Sequence, residues 1–439
     1  MKNICVVGTG YVGLVTGACF AELGNRVWCI DTDESKVEAL NKGVIPIFEP
    51  GLEAIVHDNM ESGRLSVTTS FEKGLKDAEF VFVAVGTPNT EEGTINLNYL
   101  RGAYEMIGAN LNGTRPVVVN KSTVPPGTCE MMEAQVAKMV NGSGPIHVVS
   151  NPEFLREGHA VDDFMNPSRI VIGSNNGAAA EAVAELNRPL DCPIVFTDTR
   201  SAEMIKYASN AFLAMKISFI NEIAEICDGT GVDVTGVARG IGLDPRIGNA
   251  FLNAGIGYGG SCLPKDVAVL RNVATECGFE PTILNAAEEV NSRQPKRLVR
   301  QVEQALGGLE DARIAVLGLT FKPNTDDLRY SAALRIVSQL IEAGSEVKAC
   351  DPQACRNVSA LPGGVEYVMD PYQAAEGCDA VILATEWDEY KNIDLNRLRS
   401  VMKGRVIADG RNVVDPHRAS EAGFTYIGMG RGLRPSAIA

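Results

Sequence analysis

The segment Gly257-Tyr258-Gly259-Gly260-Ser261-Cys262-Leu263-Pro264-Lys265-Asp266 concentrates the residue types that covalent chemistry needs. Glycines let backbone approach a ligand closely, and proline suits the first turn of a helix. Cys262 is thereby expected at a helix start with Lys265 nearby, and both features favour the thiolate. The alternative is the commonest fate of a cysteine, a small inert core residue. A second pair lies in a long helical stretch, where Lys206 and Asn210 are four residues apart and share a face. An ammonium beside an amide can stabilise a developing oxyanion, although exposed helical lysines are far commoner than catalytic ones. Asn151-Pro152-Glu153-Phe154-Leu155-Arg156-Glu157-Gly158 follows a strand, at the edge where ligands bind in open α/β sheets. Glu153 and Glu157 can reach one site if this turn is helical; otherwise it is a solvated loop.

The turn Gly8-Thr9-Gly10-Tyr11-Val12-Gly13 has GxGxxG spacing, which alone is weak evidence. Here it follows the apolar strand Ile4 to Val7, opens a helix, and meets Asp31 at the end of the next strand. Gly8 permits the tight turn, Gly10 lets backbone approach a pyrophosphate, and Gly13 lets helix and sheet pack closely. The phosphates would sit on the helix N-terminus. Asp31 would accept hydrogen bonds from the adenine ribose and repel a 2′-phosphate, so NAD is expected rather than NADP; the competing reading is glycines for packing only. A simple alcohol oxidation has no use for a thiol nucleophile, so Cys262 points to a further step. Lys322 and Arg329, in Phe321-Lys322-Pro323-Asn324-Thr325-Asp326-Asp327-Leu328-Arg329, and Arg411 are candidates for a cationic pocket. They read equally well as ordinary surface charge.

These residues must be positioned by elements the sequence also outlines. Strands are expected at Arg26 to Ile30, Phe80 to Val85, Pro116 to Asn120, His147 to Ser150 and Ile170 to Ile172, alternating with helices. A long helix runs from Ser201 to about Thr230, with further helices to about Leu306. The opening pattern then returns: Arg313 to Gly318, a helix ending at Ala343-Gly344, a strand Glu346 to Cys350, then Asp351. The expected fold class is α/β, with two Rossmann-like, doubly wound parallel-sheet domains joined by a central helical segment. The divisions fall at 1–200, 201–306 and 307–439. Gly318-Leu319-Thr320-Phe321-Lys322 lacks the three-glycine spacing, so the second lobe should bind something other than a dinucleotide.

Composition sets the partner class. Of 439 residues, 40 are basic and 55 acidic, a net charge of −15 that argues against nucleic acid or an anionic membrane. A phosphorylated substrate would then need a local basic pocket. No signal peptide and no membrane-length apolar run is evident, which makes a cytoplasmic location the expectation. The eleven cysteines are scattered without a CxxC pair and read as reduced thiols. The four histidines lack ligand spacing, so no metal is expected.

Taken together, GTGYVG, VGTP (Val85 to Pro88), KSTVPPGT, NPEFLREG, EMIKYASNAF, DPRIGNAFLNAGIGYGGSCLPKD and FKPNTDDLR resemble the UDP-glucose/GDP-mannose dehydrogenase family. The resemblance spans residues 2 to about 425. It implies an N-terminal NAD domain, a C-terminal nucleotide-sugar domain and a homodimer built on the central helix. It implies Cys262 as nucleophile, assisted by Lys206, Asn210 and Asp266, with Thr123 and Glu153 holding or activating water. NAD would be touched by Gly8, Gly10, Tyr11, Val12, Gly13, Asp31, Lys36, Thr87, Thr123, Glu157, Lys265 and Arg329. The sugar nucleotide would meet Glu153, Phe154, Leu155, Arg156 and Glu157, then Lys206, Asn210, Phe251, Leu252, Asn253, Ala254, Gly255, Gly259, Lys322 and Arg411. Arg246 would reach into the partner subunit's site. The implied reaction takes the 6-hydroxymethyl of a nucleotide sugar to the acid in two hydride transfers. UDP-glucose is the expected substrate, with GDP-mannose or a UDP-N-acetylhexosamine as alternatives. A single-step hydroxy-acid or sugar-phosphate dehydrogenase is the more distant one.

Overall fold

The computed structural model describes residues 1–90, 93–111, 113, 115–139 and 146–432. The chain resolves into two compact units, residues 1–209 with 268–273, and residues 210–267 with 274 onward.

The first unit is built on an eight-stranded sheet. Its strands are β1 (Asn3–Val7), β2 (Arg26–Ile30), β3 (Leu65–Thr68), β4 (Phe80–Val83), β5 (Val117–Asn120), β6 (Val148–Ser150), β7 (Ile170–Gly173) and β8 (Ile194–Thr197). They lie in the order β3-β2-β1-β4-β5-β6-β7-β8. The first six follow the doubly wound 3-2-1-4-5-6 arrangement, with the order reversing between β1 and β4. Side chains alternate along β1: Ile4 and Val6 enter one core with Leu14 and Phe20. Cys5 and Val7 enter the core on the other face with Val81 and Tyr104. The central β4, Phe-Val-Phe-Val, is buried throughout, as a strand covered on both faces must be. One pairing departs from the expected all-parallel sheet. β6 meets β7 antiparallel at Ser150 and Gly173, while β7 and β8 run parallel to each other. The connection from β6 to β7 carries helix Ala160–Met165, which packs against helix Tyr11–Glu22, Phe164 meeting Phe20 edge-on at 5.1 Å between ring centroids.

The second unit repeats the design with β9 (Arg313–Leu317), β10 (Glu346–Cys350), β11 (Val365–Tyr367), β12 (Ala380–Leu383), β13 (Val406–Asp409) and β14 (Thr425–Gly428). Their order is β11-β10-β9-β12-β13-β14, the same reversal, all parallel. Helices Thr199–Thr230, Val234–Gly242, Leu263–Glu276 and Thr282–Leu306 form the central helical segment joining these two Rossmann-like domains. No helix among the described residues is long and apolar enough to cross a membrane. None of the eleven cysteines is in a disulfide.

Candidate active site

In the first unit, a glycine turn joins β1 to helix Tyr11–Glu22. Gly8 has φ +100°, and its N–H donates to Ile30 O at 2.7 Å, which ties the turn to β2. A Cβ at Gly8 would lie 2.5 Å from Ala84 O, and one at Gly13 would lie 1.9 Å from Gly8 O. Both glycines are therefore required by close backbone packing. At Gly10 a Cβ would meet nothing within 4 Å. That open space faces a helix start with no side-chain cap and no acidic residue in its first turn, which suits a pyrophosphate. Asp31 Oδ2 accepts from Thr9 N–H (2.8 Å) and Thr9 Oγ1 (2.7 Å), and Oδ1 accepts from Asp33 N–H (3.0 Å). Burial alone would raise the Asp31 carboxyl; these hydrogen bonds and the charge of Lys36 outweigh it and hold it below its ordinary range. Oδ1 keeps a free lone pair for a ribose hydroxyl. The residues present therefore fit NAD. Thr87 Oγ1 donates to Thr123 O at 3.0 Å, so these two expected NAD contacts are bonded to each other.

Beside the ends of β5 and β6 lies a buried charged cluster. Lys206 Nζ is 2.9 Å from Glu153 Oε1, with side chains 4% and 7% exposed. Glu153 Oε2 accepts from Leu155 N–H, so the carboxylate also shapes its own loop. Phe154 carries the Arg169 guanidinium 3.6 Å from its ring centroid and the Lys206 ammonium at 5.3 Å. The turn from Glu153 to Glu157 is not helical. Its far end is instead gripped by Glu49, a buried residue sequence reasoning passed over. The Glu49 carboxylate accepts from Gly158 N–H (2.6 Å) and Ala160 N–H (2.7 Å). Gly158 N–H also donates to Tyr11 Oη, tying this loop to the glycine turn. Glu157 is buried, whereas Arg156 turns outward into a pair with Asp163 at 2.6 Å. Lys121, also passed over, is buried directly after β5; burial pushes its ammonium down to about 8, with Glu153 opposing and Lys206 reinforcing the shift. The signal for it was its place in the KSTVPPGT run, immediately past a strand.

The second unit holds the thiol. Cys262 stands immediately before helix Leu263–Glu276, and its carbonyl accepts from Asp266 N–H at 2.9 Å, as the helix-start position requires. Ser261 Oγ lies 3.6 Å from its Sγ. Asp266 is 1% exposed; one oxygen meets Lys265 Nζ at 2.6 Å and the other accepts from Asn210 Nδ2 at 2.5 Å. The preceding glycines are packing requirements: a Cβ at Gly259 would lie 2.3 Å from Tyr330 O, and Gly260, at φ +82°, would meet the Phe321 ring. Gly260 N–H donates to Arg329 O at 3.0 Å, so the backbone of the FKPNTDDLR loop braces the cysteine loop. Arg411 is part of the same brace. It donates to Gly257 O (2.9 Å) and Ala384 O (2.9 Å) and pairs with Glu386 at 3.3 Å, leaving little of its guanidinium for a phosphate. Arg329 itself is exposed and paired with Asp327; Arg246 is exposed and paired with Asp244. Of the segment Phe251 to Gly255, Phe251 sits at φ +65°, Leu252 and Ala254 are buried, Asn253 is exposed, and Gly255 N–H donates to Asn221 Oδ1 at 2.8 Å. Lys322 Nζ lies 5.7 Å from the Phe321 ring centroid.

The second lobe keeps the skeleton of the first turn but closes it. Gly318 has φ +95° and donates to Cys350 O at 2.8 Å, matching Gly8 and Ile30. Asp351, the counterpart of Asp31, is fully buried. Leu319 N–H, Thr320 N–H, Thr320 Oγ1 and Trp387 Nε1 donate to its Oδ2, and Gln353 and Ala354 N–H to its Oδ1. No acceptor capacity is left for a ribose, which agrees with a different ligand in this lobe.

The comparisons match this division of labour. Residues 2–191 match the NAD binding domain of the UDP-glucose/GDP-mannose dehydrogenase family, 200–293 its central domain, and 315–416 its UDP binding domain. The chain is 47% identical over 441 residues to UDP-glucose 6-dehydrogenase TuaD of Bacillus subtilis, covering 99% of this chain and 95% of that protein. Among solved structures it is similar to a UDP-glucose dehydrogenase of Pyrobaculum islandicum, with TM-score 0.92, 41% identity and 98% of each chain covered. It is also similar to a UDP-D-ManNAc dehydrogenase of Pyrococcus horikoshii, with TM-score 0.87, 29% identity, and coverage of 98% of this chain and 99% of that one. With an open dinucleotide turn, a closed second turn and a cysteine at a helix start, in a chain matched from end to end, this protein belongs to the UDP-glucose/GDP-mannose dehydrogenase family.

Proposed function

We propose that the protein oxidises the C6 hydroxymethyl of UDP-glucose to the carboxylate, giving UDP-glucuronate. The observation that carries this reading is Cys262 at the start of helix Leu263–Glu276, on a loop braced by Arg411 and the Arg329 carbonyl. NAD, when bound, takes up the hydride released in each oxidation. Asp266, fixed by Lys265 and Asn210, is an anion suited to receive the alcohol proton through water, with Lys206 assisting. Cys262 adds through sulfur to the aldehyde carbon, because an aldehyde has no hydride-donating alkoxide until a nucleophile attacks. Lys206 and Asn210, one turn apart on helix Thr199–Thr230, stabilise the oxyanion. Loss of the second hydride leaves a thioester, and water activated by Glu153 and held by Thr123 displaces the thiolate. One alcohol, one water and two NAD⁺ give one carboxylate, two NADH and three protons.

The nucleotide sugar is placed on Phe154, Leu155, Phe251 to Gly255, Gly259 and Lys322, with the three-part division of the chain serving cofactor, assembly and sugar nucleotide. A homodimer is part of the reading. Phe212, Phe219 and Ile226 recur every seventh residue along helix Thr199–Thr230 at 59%, 48% and 57% exposure, an apolar face that a second copy would cover. A cytoplasmic setting is supported by cysteines free of disulfides. UDP-glucose is favoured over an N-acetylated sugar by 47% and 41% identity to the UDP-glucose enzymes against 29% to the UDP-D-ManNAc enzyme. The test is NADH release by purified protein across UDP-glucose, GDP-mannose and UDP-N-acetylhexosamines. UDP-glucose should have the highest kcat/KM; a higher value for another sugar reassigns the substrate.

A further inference from the structure

The loop that delivers Cys262 is fixed near its start by a side chain from another element. Asn291 lies on helix Thr282–Leu306 and is 2% exposed. Its Oδ1 accepts from Tyr258 N–H at 2.8 Å, and its Nδ2 donates to Tyr258 O at 3.2 Å. One side-chain amide thus makes the double exchange that a hydrogen-bonded pair makes across antiparallel strands. The pairing also fixes which way the amide points, because turning it over would set donor against donor and acceptor against acceptor. Gly257 makes room for it: at φ +92°, it would with a Cβ meet Asn291 Oδ1. Arg335 Nη2 reaches the same Tyr258 carbonyl more distantly, at 3.5 Å.

Helix Thr282–Leu306 is in turn locked to helix Thr199–Thr230. Ser218 Oγ donates to Ala287 O at 2.6 Å, and Gln294 Nε2 donates to Glu225 Oε1 at 2.9 Å. Ser218, Ala287 and Gln294 are all buried. Helix Thr199–Thr230 also carries Asn210, whose Nδ2 holds Asp266 on the far side of Cys262. The segment from Tyr258 to Asp266 is therefore pinned to one helix at both ends, directly at Asp266 and through Asn291 at Tyr258.

We infer that Asn291 is a positioning residue for the thiol step of the reaction proposed above, on which this inference rests: it sets where Cys262 Sγ stands relative to the Asn210 amide. In that step sulfur supplies the electron pair of the new C–S bond while the carbonyl pair moves onto oxygen, and the hydride then leaves for the second NAD⁺. A misplacement of about 1 Å costs such a step on the order of a hundredfold in rate. The first hydride transfer makes no use of sulfur. Asp266, which serves it, is held by Asn210 and Lys265 and not by Asn291. Loss of Asn291 should therefore be felt in the second oxidation far more than in the first. A purely structural asparagine would lower the melting temperature and leave the two steps of the folded protein in their wild-type ratio.

The experiment follows single turnovers of the full-length wild type, Asn291→Leu and Asn291→Asp at saturating NAD, with melting measured for each. UDP-glucose is supplied to read the first NADH, and its 6-aldehyde to read the second oxidation alone. Leucine keeps the volume and loses both hydrogen bonds; aspartate keeps the acceptor for Tyr258 N–H and loses the donor. In Asn291→Leu the aldehyde should be oxidised at least about tenfold more slowly than in the wild type, with the first NADH from UDP-glucose within about threefold of its wild-type rate. Asn291→Asp should show the same selective loss to a smaller extent, and it carries the test if the leucine variant does not fold. Unchanged aldehyde oxidation, or both rates falling by the same factor, overturns the inference, while two NADH per UDP-glucose in the wild type leave the function standing. A wild type that stops at one NADH overturns both.

Discussion

Gly10 and Gly13 sit three residues apart in one motif, yet the structure assigns them opposite jobs, and alanine separates those jobs. Gly10 has φ −70° and ψ −171°, which alanine adopts freely, and its Cβ would meet no protein atom within 4 Å. Gly10→Ala should therefore leave the fold intact or stabilise it by about 0.4–1 kcal/mol through the unfolded chain. The added methyl occupies the space through which a pyrophosphate approaches backbone N–H groups at roughly 3 Å, so NAD affinity should fall at least about tenfold, or 1.4 kcal/mol. Gly13→Ala puts a carbon 1.9 Å from Gly8 O and 2.9 Å from Gly8 C. Gly8 cannot yield, because its N–H is tied to Ile30 O and its own Cβ side faces Ala84. Overpacking against backbone should cost about 1–3 kcal/mol or more. Thermal melts with and without NAD report both quantities. At a hundredfold excess over Kd, NAD should stabilise the wild type by about 2.7 kcal/mol, and Gly10→Ala should lose at least about half of that at the same concentration. Wild-type NAD binding in Gly10→Ala would remove the pyrophosphate from this turn. Wild-type melting in Gly13→Ala would refute the packing argument.

Asp31→Ala should narrow the preference for NAD over NADP in kcat/KM by relieving repulsion of the 2′-phosphate. It should also cost about 1–3 kcal/mol in a denaturant titration, because Thr9, 1% exposed, loses the acceptor for two donors; an unchanged cofactor ratio contradicts the role. Mixed Arg246→Ala and Cys262→Ala subunits, each inactive alone, should regain part of wild-type activity if Arg246 serves its partner. No recovery after verified subunit exchange refutes a shared site. Phe219→Glu should shift the protein to monomer in sedimentation, since 48% of that side chain is exposed on the seven-residue apolar face; an unchanged oligomer places the interface elsewhere.

Much of this was legible because local rules and global fold agree. The glycine turn was readable because strand, turn, helix and Asp31 form one contiguous pattern. Cys262 was readable because Pro264 fixes where a helix can begin. Strands β3, Leu-Ser-Val-Thr, and β8, Ile-Val-Phe-Thr, complete the two edges of the first sheet and stand outside the strands expected from the sequence. The reversal of β7 was hidden because direction is a matter of pairing partners, which period-two hydrophobicity does not encode. Glu49, Lys121 and the brace formed by Arg411 were missed for a related reason. Glu49 meets Gly158 across 109 residues, and Arg411 meets Gly257 across 154, so no local window contains either pair. Arg411, a candidate for a cationic pocket by residue type, donates to the carbonyls of Ala384 and Gly257, contacts that residue type alone does not reveal.

The measurement that tests the central claim most directly is intact mass of Cys262→Ser protein turning over UDP-glucose, alongside NADH counted per UDP-glucose in the wild type. A serine ester is far more stable than a thioester, so a covalent uronyl adduct should accumulate on the variant, while the wild type yields two NADH and free UDP-glucuronate. Cys262→Ala should make almost no acid. One NADH per UDP-glucose in the wild type, or undiminished acid from the alanine variant, would contradict the thiol's role and the two-step reaction with it.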